Sequence, residues 1–157
     1  MTEKLDGELL FEMKAKLLAP IDVGEGPLGR RLIVITPGGR FEGPRLSGEV
    51  VAHSGGDWLL MRSDGIGALD VRVNLRTDDG ADIYMSYLGR IVAEPTLIPQ
   101  ILDFIQPGGV DPSRYYFRTN PLFETGAAKY RWLNGIVAIG YGRTGDGGVS
   151  YRVMEIK

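Results

Sequence analysis

The sequence contains no cysteine. Disulfides, thiolate nucleophiles and cysteine-ligated metals are therefore excluded together. Histidine occurs once, at His53. Histidine–cysteine metal sites and the H-E-x-x-H pattern cannot form. A Ser-His-Asp triad would have to use His53, and no G-x-S-x-G supports one. Lysine is confined to Lys4, Lys14, Lys16, Lys129 and Lys157, so no Schiff-base lysine exists between residues 17 and 128. No apolar run approaches the roughly 20 residues of a transmembrane helix. The start, "MTEKLDGELLFEMK", lacks an apolar segment after a basic one, so no signal peptide is expected. The absence of cysteine fits a reducing cytoplasm, which is the expected location.

What remains is a globular composition. The 157 residues are 43% hydrophobic and 24% charged, with a formal net charge of −2. One domain spanning residues 1–157 is expected at this length. The mild acidity gives no electrostatic basis for binding nucleic acid or an anionic membrane. Glycine (23) and proline (9) punctuate the whole chain. That spacing favours many short strands joined by turns over long helices.

The fold class expected is all-β. Residues 8–19, "ELLFEMKAKLLA", contain helix formers, but Leu9, Phe11, Met13, Ala15 and Leu17 alternate with polar neighbours as in a strand. "GEGPLG" reads as a loop before the strand "RRLIVIT". It has a G-x-G-x-x-G spelling, at Gly24, Gly26 and Gly29, but no helix follows, so a dinucleotide site is not expected. "RFEGPRLSGEVVAH" reads as one strand bent near Gly43. "DWLLMRSDG", "IGALDVRVNLRT" and "ADIYMSYLGRIV" follow at hairpin spacing. "DDGAD" lacks the ligand spacing of a calcium loop. Leu97, Ile98, Ile101, Leu102 and Ile105 sit at helical offsets, which predicts one short helix bounded by Pro99 and Pro107. Strands resume as "SRYYFRTNPLFET", "YRWLNGIVAIGYGRT" and "VSYRVMEIK". The total is about nine strands and one helix. A closed antiparallel β-barrel satisfies this list, because closure removes the sheet edges.

Several strands carry polar rows. Asp70, Arg72 and Asn74 alternate with Leu69, Val71, Val73 and Leu75. Trp58 and Arg62 share a face, Tyr84 and Ser86 another, Tyr116, Arg118 and Asn120 a third, and Tyr130, Trp132 and Asn134 a fourth. Spacing alone favours a wet outer face, as antiparallel sheets commonly have. The residue types draw the other way. Arginine, aspartate and asparagine suit fixed networks, and aromatic walls with a few polar groups describe a small-molecule pocket. Both orientations stay open from the residues alone.

Four stretches, "GGRFEGPRLSGEV", "GGDWLLMRSDGIGALDVRVNLRTDDGADIY", "YYFRTNPLFETGAAKYRWLNGIVAIGYG" and "VSYRV", resemble the family catalogued as domain of unknown function 3237. The resemblance runs from about Gly29 to Val153 and is weakest over residues 93–110. It implies a compact, lipocalin-like antiparallel β-barrel. Some fungal members are enantioselective cyclases that add a hydroxyl across an activated alkene to form a cyclic ether. The positions that match best include Asp57, Trp58, Arg62, Asp70, Arg72, Arg118, Glu124, Tyr130, Trp132 and Asn134. Asp64 and Asp79, each followed by glycine, read as turn formers.

The functional expectation is a cofactor-free lyase, isomerase or cyclase with its site in the lumen. Asp70 and Glu124 would serve as base and acid, and Arg72 and Arg118 would hold developing oxyanion charge. Tyr84 and Tyr130 would relay protons. Trp58 and Trp132 would stack on the substrate, with Arg62, Asn74 and Asn134 completing the binding set. No metal and no cofactor enter this scheme; the partner is a small molecule, and a homodimer is compatible with so many strands. Two other functions fit the same residues: a barrel that carries a hydrophobic ligand unchanged, and an interaction protein with a filled core.

Overall fold

A computed structural model describes residues 3–157. Its strands are β1 (Gly7–Lys16), β2 (Ile21–Gly26), β3 (Gly29–Ile35), β4 (Gly38–Glu42), β5 (Ser47–Val50) and β6 (Gly56–Arg62), then β7 (Gly67–Thr77), β8 (Asp82–Val92), β9 (Tyr116–Thr119), β10 (Leu122–Glu124), β11 (Ala138–Gly145) and β12 (Gly148–Ile156). All twelve belong to one antiparallel sheet. Eight of them, in the order β8-β9-β11-β12-β1-β4-β5-β7, close into a ring because β7 also pairs with β8. Strands β6, β3 and β2 extend from β7 as a flap, and β10 adds to β8.

The all-β expectation holds, and the strand count rises from about nine to twelve. "GEGPLG" is not a loop: Gly24 and Gly26 lie in β2, which turns at Pro27-Leu28 into β3. The segment expected to bend near Gly43 folds back on itself as the β4–β5 hairpin. Asn120 and Pro121 split β9 from β10. Proline cannot donate to a ladder, so a continuous strand through Pro121 is disfavoured.

The first strand is a strand despite its helix-forming residues. Its register slips between Leu9 and Phe11. This bulge turns Leu10 and Phe11 both inward, each fully buried, where strict alternation would have placed Leu9 beside Phe11.

The predicted helix shrinks to a 3-10 turn, Pro95–Leu97, followed by a single α-turn, α1 (Ile98–Ile101). This segment lies over one end of the ring and is tied to the β11–β12 hairpin. Thr144 Oγ1 donates to the Ile101 carbonyl (2.5 Å), Gly147 N–H to that of Phe104 (2.7 Å) and Asp146 N–H to that of Gln106 (2.9 Å).

The two halves of the interior differ. One is filled: Phe11 packs on Phe41 and Phe123, with centroids 5.3 and 6.0 Å apart, beside fully buried Ile83, Met85 and Leu133. The half beneath the cap keeps a cavity of about 40 Å³.

Candidate functional site

The cavity wall is mostly aliphatic, from Met13, Val50, Leu59, Leu69, Val71 and Val149, with Leu102 and Phe104 of the cap above. Its only acidic residue is Asp57, and its only other ionisable groups are the phenols of Tyr87 and Tyr151. None of these three was assigned a role from sequence.

Asp57 reaches the interior because β6 alternates. Asp57 and Leu59 line the cavity, while Trp58 points out and is 36% exposed. Two glycines precede it, and the packing requires both. A Cβ on Gly55 would lie 1.8 Å from the Arg72 carbonyl oxygen, and one on Gly56 would lie 2.2 Å from that of Val34. Close approach of β6 to its neighbours sets where Asp57 stands.

The β6–β7 ladder pairs Gly56 with Arg72 and Asp57 with Val71, then resumes only at Leu60 with Ala68. Side chains fill the gap. Asp70 N–H donates to Asp57 Oδ1 at 3.0 Å, and Arg31 Nη1 donates to the Trp58 carbonyl at 2.7 Å. Backbone groups that a regular ladder would pair with each other are thus satisfied, one of them by the half-buried carboxyl.

The same row continues across the sheet. Asp57 sits opposite Val71, and Val71 opposite Tyr87. The Tyr87 ring meets that of Tyr151 edge to face, centroids 5.5 Å apart at 73°, and Tyr151 meets Phe117 in the same way at 5.5 Å.

Burial pushes the Asp57 carboxyl up to about 7, the repulsive charge of Asp70 adding to it; the Asp70 N–H and the positive charge of Arg31 work in the opposite direction. Burial also raises both tyrosines above the ordinary phenol value, so they stay neutral donors at any physiological pH. One carboxyl that exchanges its proton near neutrality, facing two phenols in an apolar chamber, can perform general acid–base chemistry. Among the described residues no three of His, Asp or Glu converge as metal ligands.

The residues expected in the lumen lie elsewhere. On β7 it is Leu69, Val71, Val73 and Leu75 that are buried, at 5% exposure or less. Asp70 and Arg72 face outward, half-exposed, and pair with each other at 3.2 Å. The expected orientation is therefore reversed: the aliphatic row takes the apolar interior and the charges keep their water. Asn74 donates to Asp82 Oδ1 at 2.8 Å on the same outer face. Tyr84 (40% exposed) and Glu124 are exposed and sit opposite each other in the β8–β10 pair. Arg62 pairs with Asp64 at the β6–β7 turn.

Tyr130, Trp132 and Asn134 do not share a strand face, because residues Ala128–Gly135 form a 3-10 helix. Its period of three buries Tyr130 and Leu133 together. The Tyr130 hydroxyl donates to Asp79 Oδ1 at 2.8 Å, and Asn134 bonds to the Thr125 backbone through both its amide atoms. Trp132 is half-buried with the Arg45 guanidinium 4.0 Å from its ring centroid. Arg118 stands on the outer wall between Tyr116 and Tyr141. The structure therefore brings none of the expected catalytic side chains into the cavity. A signal for Asp57 was present: it is the one charge on the β6 parity that otherwise carries Leu59 and Met61.

The fold is shared with other proteins of known structure. The chain belongs to the family described as protein of unknown function (DUF3237), whose model matches residues 6–156. A UPF0311 protein of Rhodopseudomonas palustris (strain TIE-1) is 35% identical over 133 residues, 85% of this chain and 84% of that protein. Among solved structures, a conserved protein of unknown function from Rhodopseudomonas palustris superposes with a TM-score of 0.90 at 29% identity, covering 99% of this chain and all (100%) of that one. A β-barrel-like protein from Acinetobacter baumannii AYE gives 0.82 at 30%, covering 100% and 99%. An enzyme from Penicillium herquei shares the fold, at a TM-score of 0.71 and 20% identity over 100% and 98% of the chains.

Proposed function

We propose that this chain is a lipocalin-like barrel that catalyses cofactor-free proton transfer on a small conjugated substrate, with Asp57 as the acid–base group. The observation that carries the reading is the lone Asp57 carboxyl on an apolar cavity it shares with two phenols, where burial pushes it up to about 7. A fold neighbour described as an enzyme is in keeping with catalysis on this framework.

Ether-forming cyclisation illustrates the chemistry. Ionised Asp57 accepts the proton of a substrate hydroxyl as its oxygen bonds to the β-carbon of an enone. The electron pair moves to the carbonyl oxygen, where Tyr87 or Tyr151 donates a hydrogen bond to the enolate. Asp57 then returns the proton to the α-carbon. No atom is gained or lost, and the enzyme ends as it began. Eliminations and isomerisations use the same parts in a different order.

The cavity of about 40 Å³ holds a few waters at most, so a substrate displaces Leu102 and Phe104 of the cap as it binds. Turnover of a panel of hydroxylated enones, followed by chiral chromatography and mass spectrometry, tests the proposal. Product formation by the wild type that disappears in Asp57→Asn supports it, and equal turnover by both refutes it. The apolar wall also favours a second reading, a carrier of a hydrophobic ligand; recovery of bound but unchanged compound across the panel would establish that instead.

A further inference from the structure

The outer wall carries a feature that the interior chemistry does not use. In the β8–β9 pair, Arg90 stands directly opposite Arg118. Like charges at facing cross-strand positions destabilise a sheet unless something neutralises them. Among the described residues, neither arginine belongs to any ion pair. The row continues through Tyr141, opposite Arg118, to Arg152, where the acidic Glu12 of β1 stands on the far side. A chain of net charge −2 thus leaves the facing pair Arg90 and Arg118 without an acidic partner among the described residues.

Both guanidiniums are held in place. Arg118 Nη1 donates to the Phe117 carbonyl at 2.9 Å, and Arg90 Nη1 to the Gly89 carbonyl at 2.8 Å. The Arg118 guanidinium also lies 4.3 Å from the Tyr141 ring centroid and 5.1 Å from that of Tyr116. Such anchoring lowers the entropy lost when a ligand binds. Asn120 accepts from Leu88 N–H through Oδ1 at 3.1 Å, which leaves its amide donors unspent. Leu88, Arg90, Tyr116, Arg118, Asn120 and Ile139 line one shallow groove, and no acidic side chain enters it.

We propose that this groove binds a small phosphate monoester. Its phosphoryl group would sit between Arg90 and Arg118, and its apolar or aromatic body against Tyr116, Leu88 and Ile139. The match is one of charge and acceptor count. A phosphate monoester carries about −1.5 to −2 near neutral pH and three acceptor oxygens, against two guanidiniums and an amide. A carboxylate brings one charge and two oxygens, and would leave one arginine uncompensated.

Phenyl phosphate serves as the probe, with benzoate and inorganic phosphate as comparisons, read by amide NMR titration of the intact protein. Saturable shifts confined to β8, β9 and β11 are expected, tighter for phenyl phosphate than for either comparison. Arg90→Gln and Arg118→Gln should each weaken binding by about tenfold, whereas Arg40→Gln, at an arginine already paired with Asp78, should not. Both arginines lie on the outer wall, and a thermal melt checks that each variant folds. Affinity should also fall between about pH 7.5 and about pH 5.5, as the dianion takes up a proton. Failure to saturate, equal affinity for benzoate, or unchanged affinity in both groove variants would overturn the assignment. So would capture by vesicles containing phosphatidic acid without binding of phenyl phosphate, which would make the anion a lipid headgroup. Asp57→Asn leaves this titration intact, so the result is independent of the interior site.

Discussion

The backbone N–H of Asp70 donates to the carboxyl of Asp57 across 3.0 Å. The acid that alternation singled out on β7 therefore holds Asp57 through its main chain, while its own side chain stays outside with Arg72. The two carboxylates communicate: the charge of Asp70 helps to raise Asp57, and that of Arg31 helps to lower it.

Neutralising either outer charge should move Asp57 in a known direction. Arg31→Ala should raise its titration midpoint, and Asp70→Asn should lower it. Carboxyl-carbon NMR over a pH series measures both. Arg31→Ala also strips the Trp58 carbonyl of its partner, at a cost of about 1 kcal/mol or less in chemical denaturation, since the bond is exposed and water can replace it.

Stability should fall with rising pH because of Asp57. Its folded value, about 7, lies above the ordinary 3.8. Between those values the folded chain holds a proton that the unfolded chain releases, so the derivative of unfolding free energy with pH is negative. The contribution is complete below the unfolded value and gone once pH has passed the folded one. Thermal melts at about pH 5 and about pH 8 should show a loss that shrinks in Asp57→Asn.

Gly56→Ala should destabilise the fold and disturb the site together. Its Cβ would press on the backbone of Val34, which has no flexible end to yield. A loss of about 1–3 kcal/mol is expected from overpacking alone. Equilibrium unfolding measures it, and a displaced Asp57 titration shows that β6 has moved.

Tyr130→Phe separates framework from chemistry. The hydroxyl bonds Asp79, which Lys129 and Thr77 also contact. Removing it should cost about 1 kcal/mol and leave turnover unchanged, since the 3-10 helix contributes nothing to the cavity wall. A collapse of turnover at unchanged stability would return Tyr130 to the reaction.

Much of the β architecture was legible because alternation is a local property. The runs along β7 and β8 and the turns at Gly65 and Gly80, both with positive φ, follow from residues a few positions apart. Tyr130 to Asn134 misled because a two-residue alternation of aromatic and polar side chains also satisfies part of a three-residue repeat. Leu10 escaped because a bulge leaves no mark on composition. Asp57 was passed over because the aromatic and basic neighbours on its outer face, Trp58 and Arg62, carry the louder pattern.

From the amino-acid order alone came the class of fold, the exclusion of thiol chemistry and of a Schiff-base lysine between residues 17 and 128, and the fact that β7 has one apolar and one charged face. Only the closed ring decided which face is inner and which carboxyl is enclosed. Parity along a strand says which side chains travel together, but not toward what. That direction is settled when eight strands surround an apolar interior, where aliphatic rows gain by leaving water and a charge remains only if a donor meets it, as Asp70 N–H meets Asp57.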